Sequence, residues 1–172
     1  MLKGPKRVKQ LCFTAVFTAL IFLCTAYLHI PSHTGYIHVG DGVLFLAACF
    51  LPLPYAVFSG VCSAVLADLV SGFAVWAPAS AVIKAVTACL FSCKDKKLVT
   101  KRNGFAVLPA ALVCIGGYYL YEALLFGNFI APLAGILGSV MQSVFSALLF
   151  LLLGTALDKV HTKERLMGGN GI

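Results

Sequence analysis

Three charged residues lie inside or beside long apolar stretches between positions 38 and 84 of the chain. They are Asp41, Asp68 and Lys84. A charged side chain at membrane depth costs several kcal/mol unless it meets a partner or water, so such residues usually serve a function. The chemistry they could perform is the binding of a polar solute. A carboxylate accepts N–H groups of a ligand, and an ammonium group donates to a carbonyl or phenolate oxygen.

Polar and aromatic residues in the second half of the chain could complete a pocket with these charges. Tyr118 lies one helical turn before Glu122, so both side chains project from the same face of a helix. Aromatic walls with a few convergent polar groups are usual for a small-molecule pocket. The candidate substrate-binding residues are therefore Asp68, Lys84, Glu122, Tyr118, Trp76, Asp41, Gln142 and His38.

Most of these residues also have a purely structural interpretation. Trp76 could belong to the aromatic belt at the membrane surface. Asp68 and Lys84 could form an ion pair that fixes two adjacent helices, and Asp41 could cap the N-terminus of an apolar helix. The histidines could be loop residues with no task. Glu122 is the hardest to explain in this way, because no basic partner is evident for it.

The composition identifies the kind of protein that must position these groups. Of the 172 residues, 60% are hydrophobic and 11% are charged, with a mean hydropathy of +0.97. These values lie far outside the range of soluble domains and indicate an integral membrane protein of apolar helices. The seven cysteines contain no Cys-x-x-Cys pair, so neither a disulfide framework nor a metal site is predicted.

Six apolar segments are interpreted as membrane helices, which predicts an all-α integral membrane protein built as a six-helix bundle. The predicted bounds are 9–28, 41–52, 55–71, 77–92, 105–126 and 132–157, within a single domain at 1–165. About 20 residues cross a bilayer core, so the second and fourth segments are short. Short segments are acceptable when they are packed inside a bundle. Residues 166–172 are predicted to form a flexible tail.

The distribution of positive charge predicts the orientation of the bundle. Twelve of the 13 Lys and Arg residues lie before the apolar run that begins at Leu11, in the loop 93–104, or after the sixth segment. Six crossings place those three regions on one side of the membrane, and the positive-inside rule makes that side cytoplasmic. We therefore expect a multi-pass protein of the cell membrane with both termini inside. The same clustering argues against a nucleic-acid partner.

With this orientation, the polar groups of the segments belong to the outer half of the membrane. Asp41 is expected at the outer surface, Lys84 about 9 Å below it and Gln142 about 15 Å below it. A channel needs polar groups along its whole path, and a secondary transporter tends to bind at the midplane. An outer pocket above a sealed inner half suits a protein that captures a solute. The polar loop 29–40, which contains His33 and Tyr36, could close over the pocket.

Several motifs of the chain resemble the substrate-binding S component of an energy-coupling factor (ECF) transporter. The resemblance is closest to the riboflavin-type group, which also contains uptake proteins for other vitamins and precursors, and it covers essentially the full chain. The motifs are Ala15-x-x-x-Ala19, Gly40-Asp41, Ala67-Asp68-Leu-x-Ser71-Gly72, Trp76-Ala77-Pro78 and Lys84.

The resemblance implies a bundle that binds a micronutrient at its outer face and is not an enzyme. Family members partner a transmembrane T component and two cytoplasmic ATPases, and they topple in the membrane to deliver the cargo. The docking face on the T component would be Ala15 and Ala19. No cofactor is implied, because the partner ATPases use the ATP and this chain has no Gly-x-x-x-x-Gly-Lys loop. The substrate stays open among pyridoxine, hydroxymethylpyrimidine, riboflavin, a queuosine precursor and related compounds.

Two other functions compete with this interpretation. A small membrane enzyme acting on lipid would need a nucleophile–base pair or an acidic metal cluster, and no His-Glu-x-x-His or Gly-x-Ser-x-Gly pattern is present. A self-sufficient secondary transporter is disfavoured by the absence of charge from the inner half of the segments.

Overall fold

The computed structural model describes residues 4–32 and 35–167 of the chain, and helices dominate it. The helices are α1 (Gly4–Ala26), α2 (Gly40–Phe50), α3 (Leu53–Val70), α4 (Ala77–Leu90), α5 (Lys101–Phe126), α6 (Leu133–Lys159) and the short α7 (Thr162–Met167). A two-stranded antiparallel hairpin, β1 (His29–Ser32) and β2 (Gly35–His38), connects α1 to α2. A single 3-10 turn at Ala74–Trp76 precedes α4.

The helices overlap the six predicted segments, but several ends differ. Helix α5 begins at Lys101, within the basic loop, because the Thr100 side chain accepts the backbone N–H of Asn103 and caps the helix there. The segment 29–40, interpreted as a loop, contains the hairpin. Of the predicted tail, residues 166–167 are the last two of α7, whereas 168–172 lie outside the described residues.

Four helices are long and apolar enough to cross a membrane. These spans are Arg7–Ala26, Leu53–Val70, Lys101–Phe126 and Leu133–Lys159, whereas Gly40–Phe50 and Ala74–Leu90 are apolar but shorter. Large apolar side chains remain exposed along the long helices, for example Leu112 and Leu152 at 72% and 69%. Such a surface suits contact with lipid tails, and the protein is a helical membrane protein.

Helix α2 lies at the centre of the bundle, and all eleven of its residues are buried. It packs against α1, α3, α4 and α6. Its Phe45 stacks on Phe91 with ring centroids 4.7 Å apart, and Phe150 meets Phe45 edge-on at 5.9 Å. A helix surrounded on every side needs no polar face, which explains an apolar run of only eleven residues, about 17 Å long.

Helices α2 and α6 approach each other closely at a glycine. A Cβ atom at Gly42 would lie 2.6 Å from the carbonyl oxygen of Ser146. That distance is shorter than any normal contact with backbone, so only glycine fits there. The close approach brings the beginning of α2 alongside the polar residues of α6.

The loop between α4 and α5 is held by two charged side chains from the C-terminal part of the chain. The carboxylate of Asp158 accepts the backbone N–H groups of residues 98–99 at 2.8 and 2.9 Å. The ammonium group of Lys163 donates to the carbonyl oxygens of Cys93 and Asp95 at 2.6 and 2.5 Å. Burial lowers the pKa of Lys163 from its ordinary value. We call these contacts the loop clasp.

Candidate functional site

Asp41 and Lys84 form an ion pair inside the bundle. Nζ of Lys84 lies 2.6 Å from Oδ1 of Asp41, and the two residues are 3% and 5% exposed. The alternative that paired Lys84 with Asp68 is wrong. Lys84 Cβ lies 3.5 Å from the Cβ position of Gly60 on α3, and Asp68 is eight residues farther along that helix, about 12 Å away along its axis.

The carboxylate of Asp41 is the centre of this polar cluster. Its Oδ2 accepts the side-chain amide of Gln142 at 3.0 Å, and the Cys114 thiol lies 4.0 Å from the same oxygen. Asp41 is not the N-cap of α2, since Val39 occupies that position, and the Val39 side chain makes no capping hydrogen bond. The negative charge in the first turn nevertheless suits the positive end of the helix dipole.

The contact between Asp41 and Gln142 corrects the depths expected from the sequence. Counting from the segment ends placed these two side chains about 15 Å apart in depth. They touch because α2 begins inside the bundle, beneath β2, where Gly40 and His38 are already buried. The imidazole Nδ1 of His38 accepts the backbone N–H of Gly40 at 3.2 Å.

Tyr118 covers the ion pair from α5. Its hydroxyl shares a hydrogen bond of 2.9 Å with Ser80 on α4. The ring centroid lies 5.5 Å from Nζ of Lys84, within the range of a cation–π interaction. The aromatic ring therefore contributes to holding the ammonium group in place.

Glu122 and Trp76 form a second polar contact farther along α5. The indole Nε1–H of Trp76 donates to Oε1 of Glu122 at 3.2 Å. The neighbouring Tyr121 donates its hydroxyl to the carbonyl oxygen of Val75 at 2.5 Å. These two bonds hold the 3-10 turn against α5. Trp76 is therefore engaged by a specific partner as well as being partly exposed.

A shallow cleft between α5 and α6 is lined by Tyr118 and Glu122, one residue from each polar contact. The empty space of about 180 Å³ within it includes open solvent, so the enclosed part is small. Its polar and aromatic lining consists of Tyr118, Tyr119, Glu122 and Ser139, and apolar side chains complete the walls. Aromatic rings, a carboxylate and a hydroxyl thus converge on one small space, which is the usual make-up of a ligand site.

The structure brings together seven of the eight predicted binding residues. Six are linked by direct contacts or by the cleft, and His38 adjoins them through Gly40. The six are Asp41, Lys84, Gln142, Tyr118, Glu122 and Trp76. Asp68 is buried near the end of α3 and does not reach Lys84.

A family model described as "ECF-type riboflavin transporter, S component" matches residues 6–159. This chain belongs to that family. No curated protein matches it. Membership of this family makes the chain a vitamin-binding S component of an ECF transporter, and the family is one of transport proteins and not of enzymes.

Two residues of the S component's polar cluster, Cys114 and Ser80, were absent from the predicted set. A signal for both was available in the sequence. Cys114, Tyr118 and Glu122 follow one another at intervals of four residues, which places them on one helical face. Ser80 precedes Lys84 by the same interval. A cysteine in an apolar run resembles an ordinary packing residue. Only its position on the helical face of Tyr118 and Glu122 distinguishes Cys114 as a polar-cluster residue.

The residues predicted to dock on a partner lie on the outside of the S component. Ala15 and Ala19 are both exposed on α1. The adjacent Thr14 faces inward, where its carbonyl oxygen accepts the hydroxyl of Ser59 on α3 at 3.3 Å. The small residues therefore form a surface separate from the packed side of the helix.

Proposed function

We propose that this S component captures a vitamin or a related nitrogen-heterocycle precursor from outside the cell for ATP-driven import. The observation that carries the proposal is the cleft between α5 and α6, where Glu122, Tyr118 and Ser139 converge. A carboxylate suits N–H donors of a heterocycle, and aromatic side chains suit its ring. Trp76 holds the carboxylate of Glu122 through the bond from its indole N–H.

The ion pair next to this cleft supports binding from one side of the membrane. Lys84 and Asp41 join α4 to α2, and Gln142 joins α6 to the same carboxylate. These contacts tie α2, α4 and α6 together next to Tyr118 of the cleft, and beyond them α2 continues as a wholly apolar helix. A solute would enter and leave on the same side until the whole protein moves.

We further propose that α2 and α4 cross the membrane together with the four long helices, with both termini in the cytoplasm. The clustering of Lys and Arg supports this orientation, since twelve of the 13 would then lie inside. The hairpin at 29–38 would face outward and act as a lid, and β2 already packs against α6. Reporter fusions at the C-terminus and within the hairpin would show on which side of the membrane each of them lies. An external C-terminus would contradict the arrangement.

The proposed partners are a transmembrane T component and two cytoplasmic ATPases. The exposed Ala15 and Ala19 offer a face on which another helix can approach closely. The S component then needs no cofactor of its own, because the ATPases would supply the energy. We also propose Asp68 as a substrate-binding residue, because it is a charged residue buried near the end of α3.

Binding by the purified S component alone tests the proposal. Pyridoxine, hydroxymethylpyrimidine, riboflavin and queuosine precursors would be screened by thermal shift in detergent. We expect at least one compound to raise the unfolding temperature, and Glu122→Ala to weaken its binding. A folded protein that responds to no compound contradicts the proposal. Ion-driven accumulation by the chain alone in proteoliposomes would instead indicate a secondary transporter.

A further inference from the structure

We propose that the ligand of this S component carries a positive charge, which Glu122 and the tyrosines of the cleft recognise. The inference rests on the proposed function, because it specifies the ligand class of the same cleft. It depends on which charged side chains lie near the cleft and on what each of them contacts.

Glu122 has no positively charged neighbour in the described part of the chain. The ion pairs there join Lys84 to Asp41, and Lys96 and His161 to Glu164. Among the described residues, the one side chain that donates to Glu122 is the neutral indole of Trp76. Glu122 is nevertheless only 6% exposed. A buried carboxylate without a cation is costly, and a cationic ligand would compensate it.

None of the residues that line the cleft in the described part of the chain is basic. Lys84, which lies against Tyr118, has its ammonium group held by Asp41 at 2.6 Å. Redirecting Lys84 toward a phosphate or carboxylate would leave Asp41 buried and unpaired, which is strongly unfavourable. An anionic ligand would also lie beside the carboxylate of Glu122. The cleft therefore excludes phosphorylated and carboxylated compounds.

The walls of the cleft favour a cation over a neutral ring. Tyr118 and Tyr119 both line it, and tyrosine rings attract cations through their negative faces. Tyr118 already lies 5.5 Å from one cation, Nζ of Lys84. A carboxylate with adjacent tyrosines is a suitable environment for a pyridinium, a thiazolium or a protonated amine.

A neutral N–H donor would satisfy Glu122 less completely. The carboxylate already accepts one neutral N–H group from Trp76. A second neutral donor would add a hydrogen bond but would leave the negative charge in place. A charged donor removes the charge imbalance, and charge-assisted hydrogen bonds are roughly twice as strong as neutral ones.

The test compares ligands of different charge on the purified full chain in a neutral detergent. The cationic probes are thiamine and N1-methylnicotinamide, the neutral probes are nicotinamide, pyridoxine and riboflavin, and the anionic probes are biotin and pantothenate. Affinities would be measured by calorimetry at constant ionic strength. We expect a cationic probe to bind more tightly than any neutral or anionic probe. Glu122→Gln, which keeps the size but removes the charge, should weaken that binding by at least about tenfold. The exposed Glu164→Gln serves as the matched control and should leave it unchanged.

Each result decides the inference. Tight binding of a neutral or anionic probe, with cationic probes no better, overturns the cationic ligand but leaves the proposed function standing. A folded protein that binds none of the probes overturns both. If Glu122→Gln does not fold, the preference of the unmodified protein among the three charge classes decides the question. Affinity that is independent of probe charge contradicts the inference.

Discussion

At the scale of single residues, the polar cluster depends on one buried charge pair. The carboxylate of Asp41 on α2 accepts hydrogen bonds from Lys84 on α4 and Gln142 on α6, so the cluster joins three helices. Removing one member of a buried pair leaves the other charged and uncompensated, which is far worse than removing both. The pair should therefore show strong coupling when it is mutated.

Lys84→Met and Asp41→Leu tested singly should each lower the free energy of unfolding by about 3–5 kcal/mol, because an unpaired charge stays buried. The double variant should recover most of that loss. Urea or thermal unfolding in detergent measures the three values. A double variant as unstable as the sum of the single variants would show that the two residues do not interact.

Trp76 provides a direct readout of the cleft, because it is the only tryptophan in the chain. Its indole N–H is bonded to Glu122, so a ligand that engages Glu122 should change the fluorescence of this one residue. We expect a saturable change in emission on titration with the cognate ligand. Glu122→Gln should shift the emission of the free protein. Binding seen by calorimetry with no change in fluorescence would place the ligand elsewhere.

At the scale of elements, the position of α2 depends on its close contact with α6. Gly42 permits that contact, whereas Gly116 on α5 has nothing within 4 Å of its Cβ position. The two glycines therefore differ in packing while both lie in helices.

Gly42→Ala should destabilise the protein and weaken ligand binding, because its Cβ would meet the carbonyl oxygen of Ser146 at 2.6 Å and push α2 away. Gly116→Ala is the control, and it should be neutral or stabilise by up to about 1 kcal/mol through helix propensity. Thermal unfolding and ligand affinity would be compared for both. Equal stability of the two variants would contradict the close approach.

The loop clasp is a second element-scale feature. Lys163→Met removes the donor to the carbonyl oxygens of Cys93 and Asp95, so the loop should become mobile. Trypsin should then cleave faster after the exposed Lys96 and Lys97. Lys159→Met, at an exposed position, is the control. Unchanged cleavage in Lys163→Met would show that other contacts hold the loop.

At the scale of the whole molecule, capture and coupling occupy different surfaces. The cleft lies between α5 and α6, whereas the small residues Ala15 and Ala19 are exposed on α1. Helix α1 packs on α2 and α3, away from the cleft. Changes to one surface should therefore leave the other intact.

Ala15→Leu combined with Ala19→Leu should abolish uptake by the complete transporter, because the larger side chains block close approach of a partner helix. Ligand affinity of the isolated S component should not change. Ala156→Leu, another exposed alanine on a long helix, is the control and should leave both properties intact. Loss of binding in the α1 variant would show that this helix belongs to the ligand site.

The sequence by itself determined that the chain is a bundle of apolar membrane helices, because run length and composition are local properties. It also singled out Asp41, Lys84 and Glu122, since charges are rare in such runs. Only the tertiary structure decided how they pair. Lys84 meets Asp41 and not Asp68 because it lies opposite Gly60, and α2 begins deep enough to reach it. Which charged residues pair depends on how neighbouring helices are shifted along their axes and rotated relative to each other. The sequence pattern of a single helix contains no information about that shift or rotation.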